Sequence, residues 1–118
     1  MAESILIVDD EESVRRTFAE WLAATYAHQG ITVQALCPMG VRTGMFDGSE
    51  PMSEKLLGPS AIQPEEVANA VMAGIADGRF LILPHPEVAG MYAGRAAEPD
   101  RWLSGMSKLQ QYLEDESA

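Results

Sequence analysis

The chain contains a single cysteine, Cys37, and so cannot form an intramolecular disulfide. A lone thiol is typical of a protein that folds in a reducing compartment, and we expect a cytoplasmic location. Basic residues are also few, since 8 lysines and arginines stand against 18 acidic residues and leave a net charge of −10. A charge of this sign repels phosphate backbones and anionic lipids. We therefore predict no binding to nucleic acid or to a membrane surface.

Long apolar segments are missing as well. No stretch approaches the roughly 20 apolar residues that a membrane-spanning helix needs, and the first residues show neither the basic flank nor the apolar centre of a signal peptide. The rest is ordinary for a globular protein, with 118 residues of which 47% are hydrophobic. This length suits one domain with a modest core, and we expect a single α/β domain over residues 1–118.

Three apolar runs predict strands, at residues 5–8, 31–36 and 80–83. The first run is continuous, which is typical of a parallel strand covered on both faces, and Pro38 and Pro84 end the other two. Helical spacing of apolar residues, with prolines at helix starts and glycines at helix ends, predicts four helices. They span about 11–29, 64–77, 86–96 and 99–113. Residues 39–63 form a long polar connection with one predicted helical turn at 51–57, and residues 114–116 are expected to fray.

The predicted buried faces of three helices follow from this spacing. They comprise Val14, Phe18, Trp21, Leu22 and Thr25 in the first helix, Val67, Val71 and Ile75 in the second, and Trp102, Leu103, Met106, Leu109 and Leu113 in the last.

The order strand, helix, strand, helix, strand, helix, helix predicts a small three-stranded parallel sheet, similar to half of a Rossmann or flavodoxin-like fold. If both crossovers are right-handed and the strands add in one direction, both crossover helices lie on the same face. The second face and the sheet edges then need cover, and an edge as apolar as residues 80–83 rarely stays unpaired. We therefore expect a homodimer or larger homo-oligomer, formed through the sheet edge and the helices.

Residues 4–16, Ser-Ile-Leu-Ile-Val-Asp-Asp-Glu-Glu-Ser-Val-Arg-Arg, resemble the first strand, acidic turn and first helix of a response-regulator receiver domain. The resemblance implies that Asp9 and Asp10 help to hold Mg²⁺ beside a phosphorylated aspartate. Receiver chemistry also needs an acceptor aspartate, a hydroxyl residue and a lysine after later strands, and here those strands end in prolines. We expect no phosphotransfer and only weak binding of Mg²⁺ or Ca²⁺. The alternative is that Asp10 simply caps a helix.

The chain from about residue 19 resembles the C-terminal half of a short-chain dehydrogenase/reductase. Residues 30–43, Gly-Ile-Thr-Val-Gln-Ala-Leu-Cys-Pro-Met-Gly-Val-Arg-Thr, are similar to that family's sixth strand and the turn after it. The family's pattern is Pro-Gly-x-Val-x-Thr, and Met39 stands here in the place of the usual glycine. By this resemblance three residues are vestiges of a turn that lies beside the nicotinamide of NAD(P): Pro38, Val41 and Thr43.

The residues that such a dehydrogenase needs for catalysis are not in place. A dinucleotide requires a glycine-rich turn after the first strand, but residues 9–12 are Asp-Asp-Glu-Glu, and four carboxylates repel a pyrophosphate. The family's Tyr-x-x-x-Lys pair belongs in the helix before Gly30, yet the fourth residue after Tyr26 is Gly30 itself. We therefore expect no hydride transfer and no bound NAD(P). His28 and His85 are isolated and share no metal-ligand spacing with Cys37.

These observations lead to the hypothesis of a chimeric, engineered α/β scaffold without catalytic activity of its own. Residues 1–18 are its receiver-like segment and residues 19–118 its short-chain-dehydrogenase-like segment. Two alternatives stay open. One is a vestigial dehydrogenase fragment that binds a nucleotide weakly near residues 38–43. The other is a receiver-like module that binds a divalent metal through Asp9 and Asp10 without phosphotransfer.

Overall fold

The computed structural model describes residues 3–7, 12–48 and 51–117. Three strands and six helices follow one another in the order β1 (Glu3–Ile7), α1 (Glu12–Tyr26), β2 (Ile31–Leu36), α2 (Gly44–Asp47), α3 (Pro51–Leu57), α4 (Pro64–Asp77), β3 (Leu81–Ile82), α5 (Glu87–Ala97) and α6 (Pro99–Ser117). Two short 3₁₀ turns lie at Ala27–Gln29 and Gly58–Ser60. None of the helices in this described part of the chain is long and apolar enough to cross a bilayer.

The strands form a parallel sheet in the order β1-β2-β3, which confirms the predicted α/β class and the three-stranded sheet. β2 has the predicted bounds, because Pro38 has no N–H with which to continue the ladder. β3 is shorter than residues 80–83. Its pairing with β2 is carried by the N–H groups of Ala35 and Cys37, which donate to the carbonyls of Phe80 and Ile82 at 2.8 and 3.0 Å.

Helices α1 and α4 cover opposite faces of this sheet. Ala19 of α1 is fully buried in one cluster with Val33 and Ala35 of β2. Gln34 points to the other face, since side chains alternate along a strand, and its Nε2 donates to the carbonyl of Gly74 in α4 at 2.7 Å. The expectation that both helices share a face is therefore wrong. Because the strands are parallel and add in one direction, the two crossovers have opposite hands, and one of them is left-handed.

The close approach of α4 to the sheet depends on a glycine. A Cβ placed on Gly74 would lie 2.6 Å from Cγ1 of Ile82, which is well inside van der Waals contact. The buried Gln34 amide spans the same contact, donating to the carbonyls of Gly74 and Arg79 at 2.7 Å each. The Gly74 carbonyl also accepts from the N–H of Gly78 at 2.9 Å, so the Gln34 amide adds a second hydrogen bond at this helix end. The two carbonyls give the buried amide nitrogen an acceptor for each of its hydrogens.

Glycines end two helical segments as predicted. Gly30 closes the 3₁₀ turn after α1 with φ of 81°, and Gly78 closes α4 with φ of 71°, a conformation that costs a residue with a Cβ more than it costs glycine. At the start of α4, the N–H of Gln63 donates to Oε2 of Glu66 at 2.7 Å, which satisfies a donor at the helix N-terminus.

The buried face of α1 is rotated from the predicted one. Ala19 is buried and Leu22 partly buried, whereas Phe18 and Trp21 are 52% and 56% exposed and stack on each other with ring centroids 6.3 Å apart. Ile75, Leu103 and Met106 are likewise exposed rather than buried. A sheet of three strands offers each helix too narrow a surface to cover a broad apolar stripe. The side chain of Val14 lies outside the described part of the structure.

The connection after β2 and the C-terminal end contain more structure than predicted. Residues 39–63 include α2, α3 and a 3₁₀ turn rather than one helical turn, and a parallel bridge between Val41 and Ile62 joins the two ends of the segment. The acidic residues 114–116 continue α6 instead of fraying, and Glu116 forms an ion pair with Lys55 of α3.

Candidate functional site

A cleft of about 200 Å³ opens at the carboxyl end of β2. Ligands of open parallel sheets bind in this position, where the loops that follow the strands diverge. Residues 37–39 leave β2 along the cleft, and its other walls come from α1, α5 and α6. Val88 and Met91 of α5 contribute apolar surface.

Two arginines line the cleft, and each is stacked on an aromatic ring that also lines it. Cζ of Arg16 lies 3.9 Å from the centroid of Tyr92, and Cζ of Arg95 lies 4.3 Å from the centroid of Trp102. Stacking occupies the flat face of a guanidinium, whereas its N–H donors lie in the plane and point outward from the edge. The arrangement can therefore present hydrogen-bond donors to a carboxylate or phosphate. Two of the 8 basic residues of the chain thus line one cleft.

His85 holds residues 37–39, which form the floor of the cleft, in position. The side chain is only 2% exposed. Its Nδ1 accepts from the N–H of Met39 at 3.0 Å, and its Nε2 lies 3.0 Å from the carbonyl oxygen of Ser60. These partners assign the neutral tautomer with the proton on Nε2, which donates to Ser60. Because both ring nitrogens bond to backbone groups, His85 is a positioning residue here and offers no lone pair to a metal or a substrate.

The structure separates the three residues that the dehydrogenase resemblance brings together. Pro38 lines the cleft. Val41 instead bridges to Ile62, and the hydroxyl of Thr43 accepts from the N–H of Phe46 at 3.3 Å, so that Thr43 caps α2. Val41 and Thr43 thus have structural partners outside the cleft.

Asp9 and Asp10 lie outside the described residues, so their proposed binding of Mg²⁺ stays a prediction. Within residues 3–7, 12–48 and 51–117, no group of three or more His, Cys, Asp or Glu side chains is placed to hold a metal ion. Cys37 is buried and is one of the residues that line the cleft. His28 lies exposed in the 3₁₀ turn after α1.

Two exposed ion pairs fix the connection between β2 and α4. Arg42 donates to both carboxylate oxygens of Glu54 at 2.7 and 2.8 Å, and this hydrogen bonding, aided by the charge, lowers the pKa of Glu54. The hydrogen bond between Lys55 and Glu116 raises the pKa of the lysine and lowers that of the glutamate. Exposed pairs of this kind stabilise a fold only slightly. Neither pair lines the cleft.

No protein family, curated protein or solved structure matches this chain. The resemblances to receiver domains and to short-chain dehydrogenases therefore stay predictions from the residues.

Proposed function

We propose that the chain is a hybrid α/β scaffold without catalytic chemistry of its own, and that it assembles as a homodimer. The pairing of strands across the predicted join carries the scaffold proposal, because β1 of the receiver-like segment lies beside β2 of the dehydrogenase-like segment with Ile5 opposite Val33. Helix α1 runs unbroken through residues 17–22, where the receiver-like and dehydrogenase-like segments meet. Ala19, just after the join, is fully buried against Val33 and Ala35 of β2. One helix thus connects the two segments and covers β2.

The environment of Tyr26 supports the absence of dehydrogenase chemistry. Tyr26 is the last residue of α1, and its ring meets Trp21 edge-on with centroids 6.2 Å apart. Four residues later, where a catalytic lysine would have to lie, Gly30 adopts the left-handed conformation that ends the 3₁₀ turn. Tyr26 therefore lacks the lysine partner, four residues further on, that the dehydrogenase reaction would need.

An assay for reductase activity tests this part of the proposal. The purified chain is incubated with NADH or NADPH and a panel of aldehydes and ketones, and absorbance at the nicotinamide band is followed. We expect no consumption of the cofactor above that of buffer. Saturable turnover that is lost in a Tyr26→Phe variant would contradict the proposal.

The surface area of the chain supports self-association. A compact monomer of 12.8 kDa exposes about 6,300 Å², whereas this chain exposes 8118 Å². Its radius of gyration is 16.5 Å, compared with about 13.5 Å for a compact domain of this length. The excess of about 1,800 Å² is more than the ~800 Å² that each partner of a standard interface buries. The isolated chain therefore leaves uncovered enough surface to form a stable dimer.

The outer edge of β1 is the surface we propose for pairing. Among the residues that the structure describes, β1 is a terminal strand of the sheet and pairs with β2 alone. Ile5 and Leu6 point to opposite faces of the strand, yet they are 38% and 39% exposed, although such apolar strands are normally covered on both faces. An apolar edge of this kind is a template for another strand.

Antiparallel pairing of β1 with the β1 of a second copy would give a six-stranded sheet. The two-fold axis of such a pair is perpendicular to the sheet, so the same face of both copies points the same way. The two α1 helices would then lie on one face, near the axis. The exposed aromatic pair Phe18 and Trp21 of each copy can lose solvent exposure there.

A charged substitution on the edge strand tests the interface. Leu6→Lys places an ammonium group on β1, which is a common means of keeping an edge unpaired. We expect sedimentation velocity to show a dimer for the parent chain and a monomer for Leu6→Lys. Met72→Lys is the matched control, because Met72 is exposed on α4, away from β1, and this variant should remain dimeric. A parent chain that is monomeric at every concentration would refute the dimer.

A further inference from the structure

We infer that the cleft at the end of β2 is a binding site for a small organic anion, in which a carboxylate or phosphate group is joined to a compact apolar body. Arg16 and Arg95 line the same cleft, and Arg95 supplies the donors for the anionic group. Pro38, Val88 and Met91 supply the apolar contacts for the body. A site with apolar walls and a few convergent polar groups is the usual form of a small-molecule pocket.

The two arginines of the cleft are held against aromatic rings. Each guanidinium is stacked on an aromatic ring, at 3.9 Å from Tyr92 and at 4.3 Å from Trp102. A long cationic side chain that is free to rotate loses conformational entropy when it binds a ligand, and stacking removes part of that cost beforehand. A guanidinium can also bind a carboxylate through two N–H groups at once, which a lysine cannot do.

The size of the cleft limits the ligand. Its volume of about 200 Å³ lies below the roughly 300–1,000 Å³ of sites that enclose drug-sized molecules. A dinucleotide is too large for it, so the vestigial nucleotide site is disfavoured relative to a ligand of the size of benzoate or a short phosphate ester. His85 fixes Met39 at the side of the cleft by accepting a hydrogen bond from its N–H.

The cleft straddles the predicted join. Arg16 belongs to the receiver-like segment 1–18, while the other lining residues belong to residues 19–118. If the chain is a hybrid, this anion site is a property of the fusion and of neither parent.

Benzoate is the probe that tests the site, and benzamide is its neutral counterpart of the same shape. The chain has two tryptophans, and Trp21 is exposed on α1 outside the cleft, so a Trp21→Phe background leaves Trp102 as the only indole reporter. At constant ionic strength we expect benzoate to change the Trp102 fluorescence saturably. Benzamide should bind at least about tenfold more weakly, because a hydrogen bond to a charged group is the main anchor.

Two arginine variants distinguish binding in the cleft from non-specific attraction of anions to the protein. Arg95→Gln should weaken benzoate binding at least about tenfold. Arg101→Gln is the matched control, since Arg101 lies on α6 beside Trp102 but pairs with Glu98 at 3.1 Å outside the cleft, and it should bind as the parent does. Circular dichroism confirms that the variants stay folded. Equal binding of benzoate and benzamide, equal binding by parent and Arg95→Gln, or no saturable signal would each overturn the inference.

Discussion

Replacing His85 tests whether one buried ring holds the loops around the cleft. In His85→Ala the N–H of Met39 and the carbonyl of Ser60 both lose their partner. A buried group without a partner costs about 1–3 kcal/mol. Both bonds here are partly buried, so water can replace some of the loss, and we expect about 1.5 kcal/mol for each. The free energy of unfolding should therefore fall by about 3 kcal/mol.

Two further substitutions, His85→Asn and His85→Gln, each remove one of the two hydrogen bonds and keep the other. The side-chain oxygen of Asn can take the place of Nδ1 and still accept from Met39, whereas the amide nitrogen of Gln can take the place of Nε2 and still donate to Ser60. Each variant should lose about half as much stability as His85→Ala. For 118 residues, 3 kcal/mol corresponds to a fall in melting temperature of about 12 °C, and half of that to about 6 °C.

Thermal unfolding followed by circular dichroism measures these shifts, with all variants at one protein concentration because dimerisation makes the melting temperature concentration-dependent. His28→Ala is the control, since His28 lies exposed in a 3₁₀ turn, and it should melt with the parent. The reasoning fails if His85→Ala melts within about 2 °C of the parent, a shift equivalent to about 0.5 kcal/mol. It also fails if the Asn and Gln variants are both as unstable as the Ala variant.

Two further predictions concern a close contact and an ion pair. Gly74→Ala should destabilise the chain by about 1 kcal/mol despite the better helix propensity of alanine, because its Cβ would meet Ile82 at 2.6 Å. Gly94 has open space around it, so the control Gly94→Ala should stabilise the chain slightly. Equal denaturation midpoints for the two variants would contradict this account. An NMR titration should give Glu54 a pKa below its ordinary value of 4.5, and the pKa should return toward that value in Arg42→Gln. The pair's small contribution is present above that ordinary value and lost as the pH falls through the lowered pKa, and an unchanged pKa in Arg42→Gln would refute the pairing.

Prolines and glycines at the ends of strands and helices made the elements of this fold predictable. Pro38 lacks the N–H that would extend β2, and the flexible backbones of Gly30 and Gly78 permit the left-handed turns that end helical segments. These constraints act within a few residues, so sequence patterns contain them. Apolar runs between such signals then indicate strands and helices in the right order.

The placement of α4 was not predictable in this way. It depends on the missing Cβ of Gly74 against Ile82 and on the amide of Gln34, which are contacts between residues far apart in the chain. The usual handedness of crossovers pointed to the wrong face. The hydrophobic stripe of α1 was likewise misplaced by about one position, because a stripe broader than the sheet leaves open which part of it is buried.

The role of His85 was missed because its partners are backbone groups of Met39 and Ser60, which carry no signature in sequence. Its position between two prolines is the only local sign of a fixed conformation. The pairing of Arg16 with Tyr92 and of Arg95 with Trp102 is equally invisible to periodicity, since the first pair joins α1 to α5 and the second joins α5 to α6.

The central claim is that one core spans the join and that β1 pairs with a second copy. Native-state hydrogen exchange of the full chain tests this claim most directly. We expect the amides of α1 on both sides of residue 18 to exchange with the same free energy as those of β2. The β1 amides that face away from β2 should also be protected, because only pairing across a dimer can shelter them. Rapid exchange throughout β1 and α1 beside a protected β2 and β3 would contradict the account.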